Sequence, residues 1–158
     1  MTTTLYVLTG LPGSGKSTRA ADIIAATGAE HVDMDAALHA QGMSIVNWDA
    51  RFAFQPTVES HIAPFLRQGR SVVAEFGSWT RTERARLRHL ADGTGARTEL
   101  HWIDAPVATC IERLMARGGD GADELAELLR TSASNYEQPT VDEGAEFDAY
   151  VAPGERWI

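Results

Sequence analysis

The chain opens on a continuous apolar run at 4–9 (TLYVLT), turns through a glycine-rich stretch, and then alternates apolar and polar positions at helical spacing over 17–26. That switch of period, from unbroken apolar run to a stripe every 3.6 residues, recurs along the whole sequence. A short strand is predicted at 31–33 and a helix from 35 to about 40. Residues 48–68 carry helical spacing, with an interruption or kink predicted near Pro56 and Pro64. SVVAEF at 71–76 reads as a buried strand, 80–90 as a helix and 97–103 as a strand. A helix with proline in its first turn follows at 106–117. Gly118-Gly119-Asp120-Gly121 reads as a flexible connection, 122–136 as a helix and 147–151 as a weak last strand. Strands alternating with helices predict an α/β three-layer sandwich, a five-stranded parallel sheet covered on both faces. In such folds ligands sit beyond the carboxyl ends of the strands, so the chemistry is sought there.

Composition narrows the picture. The 158 residues suit one domain spanning 1–158, with 44% apolar and 23% charged residues. No apolar run approaches the ~20 residues of a membrane span. The opening MTTTLYV lacks a basic segment, which predicts no secretion signal. A lone cysteine, Cys110, excludes an internal disulfide and lies on an apolar helical face, where a buried thiol is expected. Together these features predict a cytoplasmic protein. Residues 1–119 balance twelve basic against twelve acidic groups, while 120–158 hold ten acidic groups against Arg130 and Arg156. A chain without a basic surplus is a poor general nucleic-acid binder, and the acidic quarter reads as a solvated surface.

Between the first strand and the first helix lies G-x-x-x-x-G-K-S: Gly10, Leu11, Pro12, Gly13, Ser14, Gly15, Lys16 and Ser17, followed by Thr18. Glycines let successive backbone N–H groups turn inward on one anion, and the following helix adds its positive end. Lys16 supplies a mobile charge for the β- and γ-phosphates, and the Ser17 hydroxyl can ligate Mg²⁺. Lys16 is the only lysine beside thirteen arginines. The stretch is a nucleotide site.

Further candidates follow each later strand. HVDMDAAL places Asp33 and Asp35 two residues apart, with Asp35 predicted to cap the next helix and face the cleft. A carboxylate there can orient an acceptor hydroxyl and take its proton. Glu75 closes an apolar strand beside the phosphate loop, and a carboxylate in that setting reads as a Mg²⁺ holder acting through water. In the helix after it, Arg81, Arg84 and Arg88 share a face, with Arg81 and Arg84 nearest the site and Arg86 and Arg88 read as surface charge. Arg113 and Arg117 run into the glycine-rich connection, a lid at about 117–123, from which they can stabilise charge as a phosphoryl group moves.

These motifs resemble the small P-loop kinases that include chloramphenicol phosphotransferase, the zeta toxins and the 5′-kinase domain of polynucleotide kinase, together with a broad bacterial set of small P-loop ATP-binding proteins. The resemblance rests on residues 10–18, Asp35, the VVAEFGSWTRTER stretch at 72–84, ERLMAR at 112–117 and Tyr136-Glu137-Gln138-Pro139. It covers about residues 4–148. It implies the P-loop NTPase fold with a short lid, ATP and Mg²⁺, and transfer of the γ-phosphoryl group to a hydroxyl. It implies Asp35 as the base, with Asp33 the alternative, and Arg113 or Arg117 as the lid arginine. It places the acceptor near 36–55 and 77–84, which brings in Arg51, a recurring arginine of the family, and Trp79. Glu75 departs from the family, where Asp is usual, so a longer arm must reach the metal or act through water. The expected partner is a small hydroxyl-bearing molecule, an antibiotic or a nucleotide sugar. A 5′-hydroxyl polynucleotide kinase and an ATP-dependent switch are the alternatives.

Overall fold

The first apolar run becomes β1 (Thr4–Thr9), buried at all its positions, and it lies at the centre of the sheet. The computed structural model describes residues 2–157. Four further strands, β2 (Glu30–Asp33), β3 (Val72–Glu75), β4 (Arg97–Trp102) and β5 (Ala149–Val151), complete a five-stranded sheet in the order β2-β3-β1-β4-β5. All four pairings are parallel.

Alternation along the strands decides the two faces. Leu5, Val7, Val72 and Ala74 point to one side, where they pack with Leu38 of α2 (Met34–Ala40), Val58 of α3 (Trp48–Glu59), Leu66 of α4 (Ile62–Arg67) and Leu87 of α5 (Arg81–His89). Tyr6, Leu8 and Val73 point to the other, against Ala20 and Ile23 of α1 (Lys16–Thr27). Beside the loop after β1, Leu11 joins Cys110 and Leu114 of α6 (Val107–Arg117) and Leu125 and Leu129 of α7 (Ala122–Ser132). The Cys110 thiol is fully buried there, and burial raises its pKa.

Several boundaries differ from the pattern reading. Pro56 lies inside α3 without ending it. It stands near the exposed Phe52, so water can serve the carbonyl that a proline leaves without a donor. The chain breaks instead at Ser60 and His61, and Pro64 sits in the first turn of α4, where an N–H has no helical partner anyway. α7 stops at Ser132 and tightens into a 3-10 turn at Ala133–Asn135. A helix that the pattern missed, α8 (Val141–Gly144), precedes β5 and is capped by Thr140, whose hydroxyl accepts from Glu143 N. Four residues are too few to carry a period. Among the described residues no helix is long and apolar enough to cross a membrane.

Candidate active site

Register sets the site. β3 lies between β2 and β1, and its last residue Glu75 is level with Asp33 on one side and Leu8 on the other. The loop after β1 therefore opens beside both carboxylate-bearing strand ends.

In that loop the glycines answer to close contacts. A Cβ on Gly10 would lie 2.4 Å from the carbonyl oxygen of Ile103, and one on Gly13 would lie 2.6 Å from that of Cys110. Gly13 and Gly15 also adopt φ of 79° and 113°, a region that costs other residues about 1–2 kcal/mol. α1 starts at Lys16 with no side-chain cap and no acidic residue in its first turn, so its N–H groups face the loop unserved. The Ser14 Oγ is buried without a partner. Such a cradle fits a phosphate chain. Lys16 Nζ donates to the carbonyls of Gly10 (2.9 Å) and Leu11 (3.1 Å). Burial lowers its pKa, opposed by Glu75 and Asp35.

Glu75 is held at both oxygens. Oε2 accepts from Ser17 Oγ at 2.9 Å and Oε1 meets His31 Nε2 at 2.9 Å. Burial resists ionisation of Glu75, yet the hydrogen bonds from His31 and Ser17 and the charges of His31 and Lys16 outweigh it, so its pKa lies below the ordinary value. The bond to Glu75 in turn raises the pKa of His31. His31, Asp33 and Glu75 bring ligand atoms within 4.8 Å of one another. Hard oxygen donors from Ser17 and Glu75 next to a phosphate cradle fit Mg²⁺. His31 was absent from the sequence reading. Its signal was available, since His31 and Asp33 alternate on one side of β2.

The two aspartates exchange roles relative to the pattern. Asp33, not Asp35, caps α2, its Oδ1 accepting from the N–H groups of Asp35 (2.9 Å) and Ala36 (3.3 Å). Burial, together with nearby Glu75, raises the Asp33 pKa, although the Ala36 N–H works against it. That leaves the Asp35 side chain free to turn outward from the first helical turn, where Arg51 of α3 donates to its Oδ1 at 2.5 Å. A cavity of about 610 Å³ runs from Pro12 and Lys16 past Asp33, Asp35, Arg51 and Glu75 to Trp79.

The predicted arginines separate. Arg84 does not reach the cavity: it is fully buried, pairs with Glu143 of α8, and donates to the carbonyls of Ser78 (2.8 Å) and Glu137 (2.7 Å). Arg81 turns outward to pair with Glu146, which Arg88 also approaches. The acidic quarter thus neutralises the arginine face of α5. Helical spacing gave that shared face correctly but could not say that it points to α8, because the partner lies about 60 residues away. Arg86, read as surface charge, is exposed as expected and also lines the cavity mouth. Arg113 donates to the carbonyls of Gly13 and Ser14 at 3.2 Å each and so touches the phosphate loop. Arg117 is exposed at the end of α6 and lines no part of the cavity. The glycine-rich connection is pinned through Asp120, which accepts from Ser44 Oγ (3.0 Å) and Ile45 N (3.2 Å).

Behind Trp79, the Tyr136 hydroxyl shares a 2.7 Å hydrogen bond with Thr9 Oγ1, and its pKa is pushed up to about 12 by burial. The Tyr136 ring packs edge-on against Trp79 at 6.1 Å.

A family model described as AAA domain (AAA_33) matches residues 5–139. No curated protein matches the sequence significantly. Among solved structures, a candidate kinase from Chloroflexus aurantiacus j-10-fl is similar, with 18% identity and a TM-score of 0.72 over 97% of this chain and 88% of that one. A sugar kinase from Janibacter sp. HTCC2649 is similar at 22% identity and TM-score 0.65, covering 96% and 84%. The Mycobacterium tuberculosis APS kinase CysC, in complex with AMPPNP and APS, is similar at 21% identity and TM-score 0.65, covering 98% and 91%. What these share with the chain is the α/β P-loop NTPase fold, with its five-stranded parallel sheet flanked by helices.

Proposed function

The chain belongs to the AAA_33 family of AAA domains, and from that premise we propose that it is an ATP- and Mg²⁺-dependent kinase that phosphorylates a hydroxyl of a small molecule. The observation that carries this reading is a carboxylate, Asp35, held by Arg51 on the wall of a cavity that reaches Lys16 of the phosphate loop. The kinase neighbours support the same reaction class.

The residues divide the work by position. The loop from Gly10 to Thr18 cradles the phosphates through backbone N–H groups, with Lys16 leaving its two loop carbonyls to meet the β- and γ-oxygens. Ser17 and Glu75 would hold Mg²⁺, which would supply positive charge against the charge that develops on the phosphates. Asp35 orients the acceptor hydroxyl and takes its proton as the oxygen forms a bond to the γ-phosphorus. The bond from that phosphorus to the β,γ-bridging oxygen breaks, and ADP leaves with the electron pair. A positioned base contributes about 10²–10⁴-fold. Arg113 of α6 donates to two phosphate-loop carbonyls while Arg117 is exposed and lines no part of the cavity, which favours Arg113 as the lid arginine.

A 5′-hydroxyl polynucleotide kinase is the weaker reading, because Arg81, Arg84 and Arg88 are engaged by Glu143 and Glu146 and leave no basic track. The test incubates the protein with Mg²⁺-ATP and a panel of hydroxyl compounds, including 5′-hydroxyl oligonucleotides, and weighs the products by mass spectrometry. One compound gaining one phosphoryl group upholds the kinase. Asp35→Asn should remove transfer and leave ATP affinity within about threefold, which is under 0.7 kcal/mol. Full transfer by that variant removes Asp35 from the mechanism. ATP binding with no turnover on any compound favours a nucleotide switch.

A further inference from the structure

The cavity that passes Asp35 has two chemically distinct parts. Near the phosphate loop it is polar. Farther out, Ile45, Trp48 and Phe52 line it from α3 and the loop before it, and Trp79, Leu125 and Leu128 line it from the loop after β3 and from α7. Two large aromatic side chains stand bare in this outer part: Phe52 is 83% exposed and Trp48 48% exposed. Exposed aromatics that rim a cavity mark a ligand or partner surface rather than core.

The charges in the same cavity say what that ligand lacks. Two arginines reach it, and each is already paired with a carboxylate through one Nη atom. Arg51 is paired with Asp35 at 2.5 Å. Arg86 donates to Glu59 at 2.7 Å, and Glu59 is a 5% exposed carboxylate that also accepts from Gln55. Drawing Arg86 onto a bound anion would strip a buried carboxylate of its cation, a strongly unfavourable exchange. Lys16, the remaining cation, belongs to the phosphate loop. Against these stand Asp33, Asp35, Glu75 and Glu83, and the Glu83 side chain has no ion-pair partner among the described residues. A phosphate, sulfate or carboxylate on the acceptor would therefore enter a cavity whose lining arginines are each already paired with a carboxylate, and whose lysine serves the phosphate loop.

We infer that the acceptor is an amphipathic alcohol: a hydroxyl end that reaches Asp35, an aromatic or other apolar body held between the Trp48–Phe52 and Trp79–Leu125 walls, and no anionic group. This rests on the kinase reading for the hydroxyl and on the cavity walls for the rest. It turns away from nucleotide sugars, whose diphosphate the cavity does not serve, and from bare polyols, which would leave the aromatic rim wet.

The test has a binding arm and a transfer arm. In the first, the neutral naphthalene dye 6-propionyl-2-(dimethylamino)naphthalene and the anionic 8-anilinonaphthalene-1-sulfonate are titrated against the protein and read by their own emission. The neutral dye should saturate at one site at least tenfold more tightly than the sulfonate. Phe52→Ser and Trp48→Ser, both at exposed positions, should each weaken it about tenfold while leaving binding of a non-hydrolysable ATP analogue unchanged. In the second arm, 1-phenylethane-1,2-diol, glycerol and glycerol 3-phosphate present the same vicinal diol with an aromatic, a polar and an anionic end. With Mg²⁺-ATP the phenyl diol should show the highest kcat/KM, by at least tenfold, and Phe52→Ser should erase that preference. Equal or tighter binding of the sulfonate, or preference for glycerol or glycerol 3-phosphate, overturns the inference and leaves the kinase standing. Phe52-dependent binding of the neutral dye, with no transfer to any alcohol in either this trio or the wider panel, upholds the recognition chemistry and overturns the kinase instead.

Discussion

Replacing Arg84 tests whether its place in the fold has been understood. The guanidinium is completely buried, and it makes a two-pronged pair with Glu143, Nε to Oε2 at 2.6 Å and Nη2 to Oε1 at 2.9 Å. Its other donors serve Ser78 O and Glu137 O, and it stands over the Tyr136 ring at 5.9 Å. Ser78 is itself held at a φ of 54°, unusual for a residue with a Cβ. Arg84→Met keeps much of the volume but leaves the Glu143 carboxylate, 2% exposed, without its cation. Breaking a buried pair from one side costs about 3–5 kcal/mol. Two carbonyls also lose a donor, although Ser78 O keeps the Thr9 hydroxyl at 2.7 Å, and methionine regains some packing. A net loss of about 4 kcal/mol follows, a large part of the 5–15 kcal/mol typical of a domain. At roughly 2–4 °C per kcal/mol for a chain this long, the melting temperature should fall by roughly 8–16 °C. Urea unfolding read by tryptophan fluorescence gives the free energy directly. Arg84→Met with Glu143→Leu should restore most of the loss, because an apolar pair of similar volume removes the stranded charge. A single variant within about 1 kcal/mol of the parent, or a double variant as unstable as the single, would refute the reasoning. So would a full-stability Arg84→Met that had lost acceptor turnover, since Arg84 would then belong to the site after all.

Gly13→Ala should lower affinity for a non-hydrolysable ATP analogue at least about 100-fold, or about 2.7 kcal/mol, because the added Cβ meets the Cys110 carbonyl at a φ that alanine resists. Calorimetric titration giving an affinity within threefold of the parent would show that the loop does not use this geometry. A pH effect should come from His101, which is fully buried between Arg19, 3.0 Å from Nδ1, and Glu99, 3.1 Å from Nε2. Burial pushes its pKa below the ordinary 6.5, more than Glu99 raises it. Between that depressed value and 6.5 the unfolded chain binds the proton that the folded chain refuses, so stability falls as pH drops through the window and is untouched above it. His101→Gln should remove up to about 1.4 kcal/mol per pH unit of that slope in urea midpoints taken between about pH 7.5 and 5.5. Parallel slopes for parent and variant would rule His101 out as the cause.

Local sequence was enough to determine the phosphate loop, the alternation of strand and helix, and the burial of Cys110. Each depends on neighbours within a few residues: glycines beside Lys16 and Ser17, a period of 3.6, an apolar face. Local signals also located the strand ends where Asp33 and Glu75 stand and the helix start that carries Asp35. Distances longer than one element were beyond them. Whether Asp33 or Asp35 capped α2 turned on one backbone angle, and an alternating pattern contains both answers. The pairing of His31 with Glu75 needed β3 to lie beside β2, a choice made by the sheet order rather than by either strand. The fates of Arg81, Arg84 and Arg86 show the limit most clearly. Helical spacing put Arg81, Arg84 and Arg88 on one face and Arg86 on another, as observed, but said nothing of what lay opposite each. Only the folded chain set α8 against the first face and the cavity against the second, because an ion pair across 59 residues is made by packing and leaves no local trace.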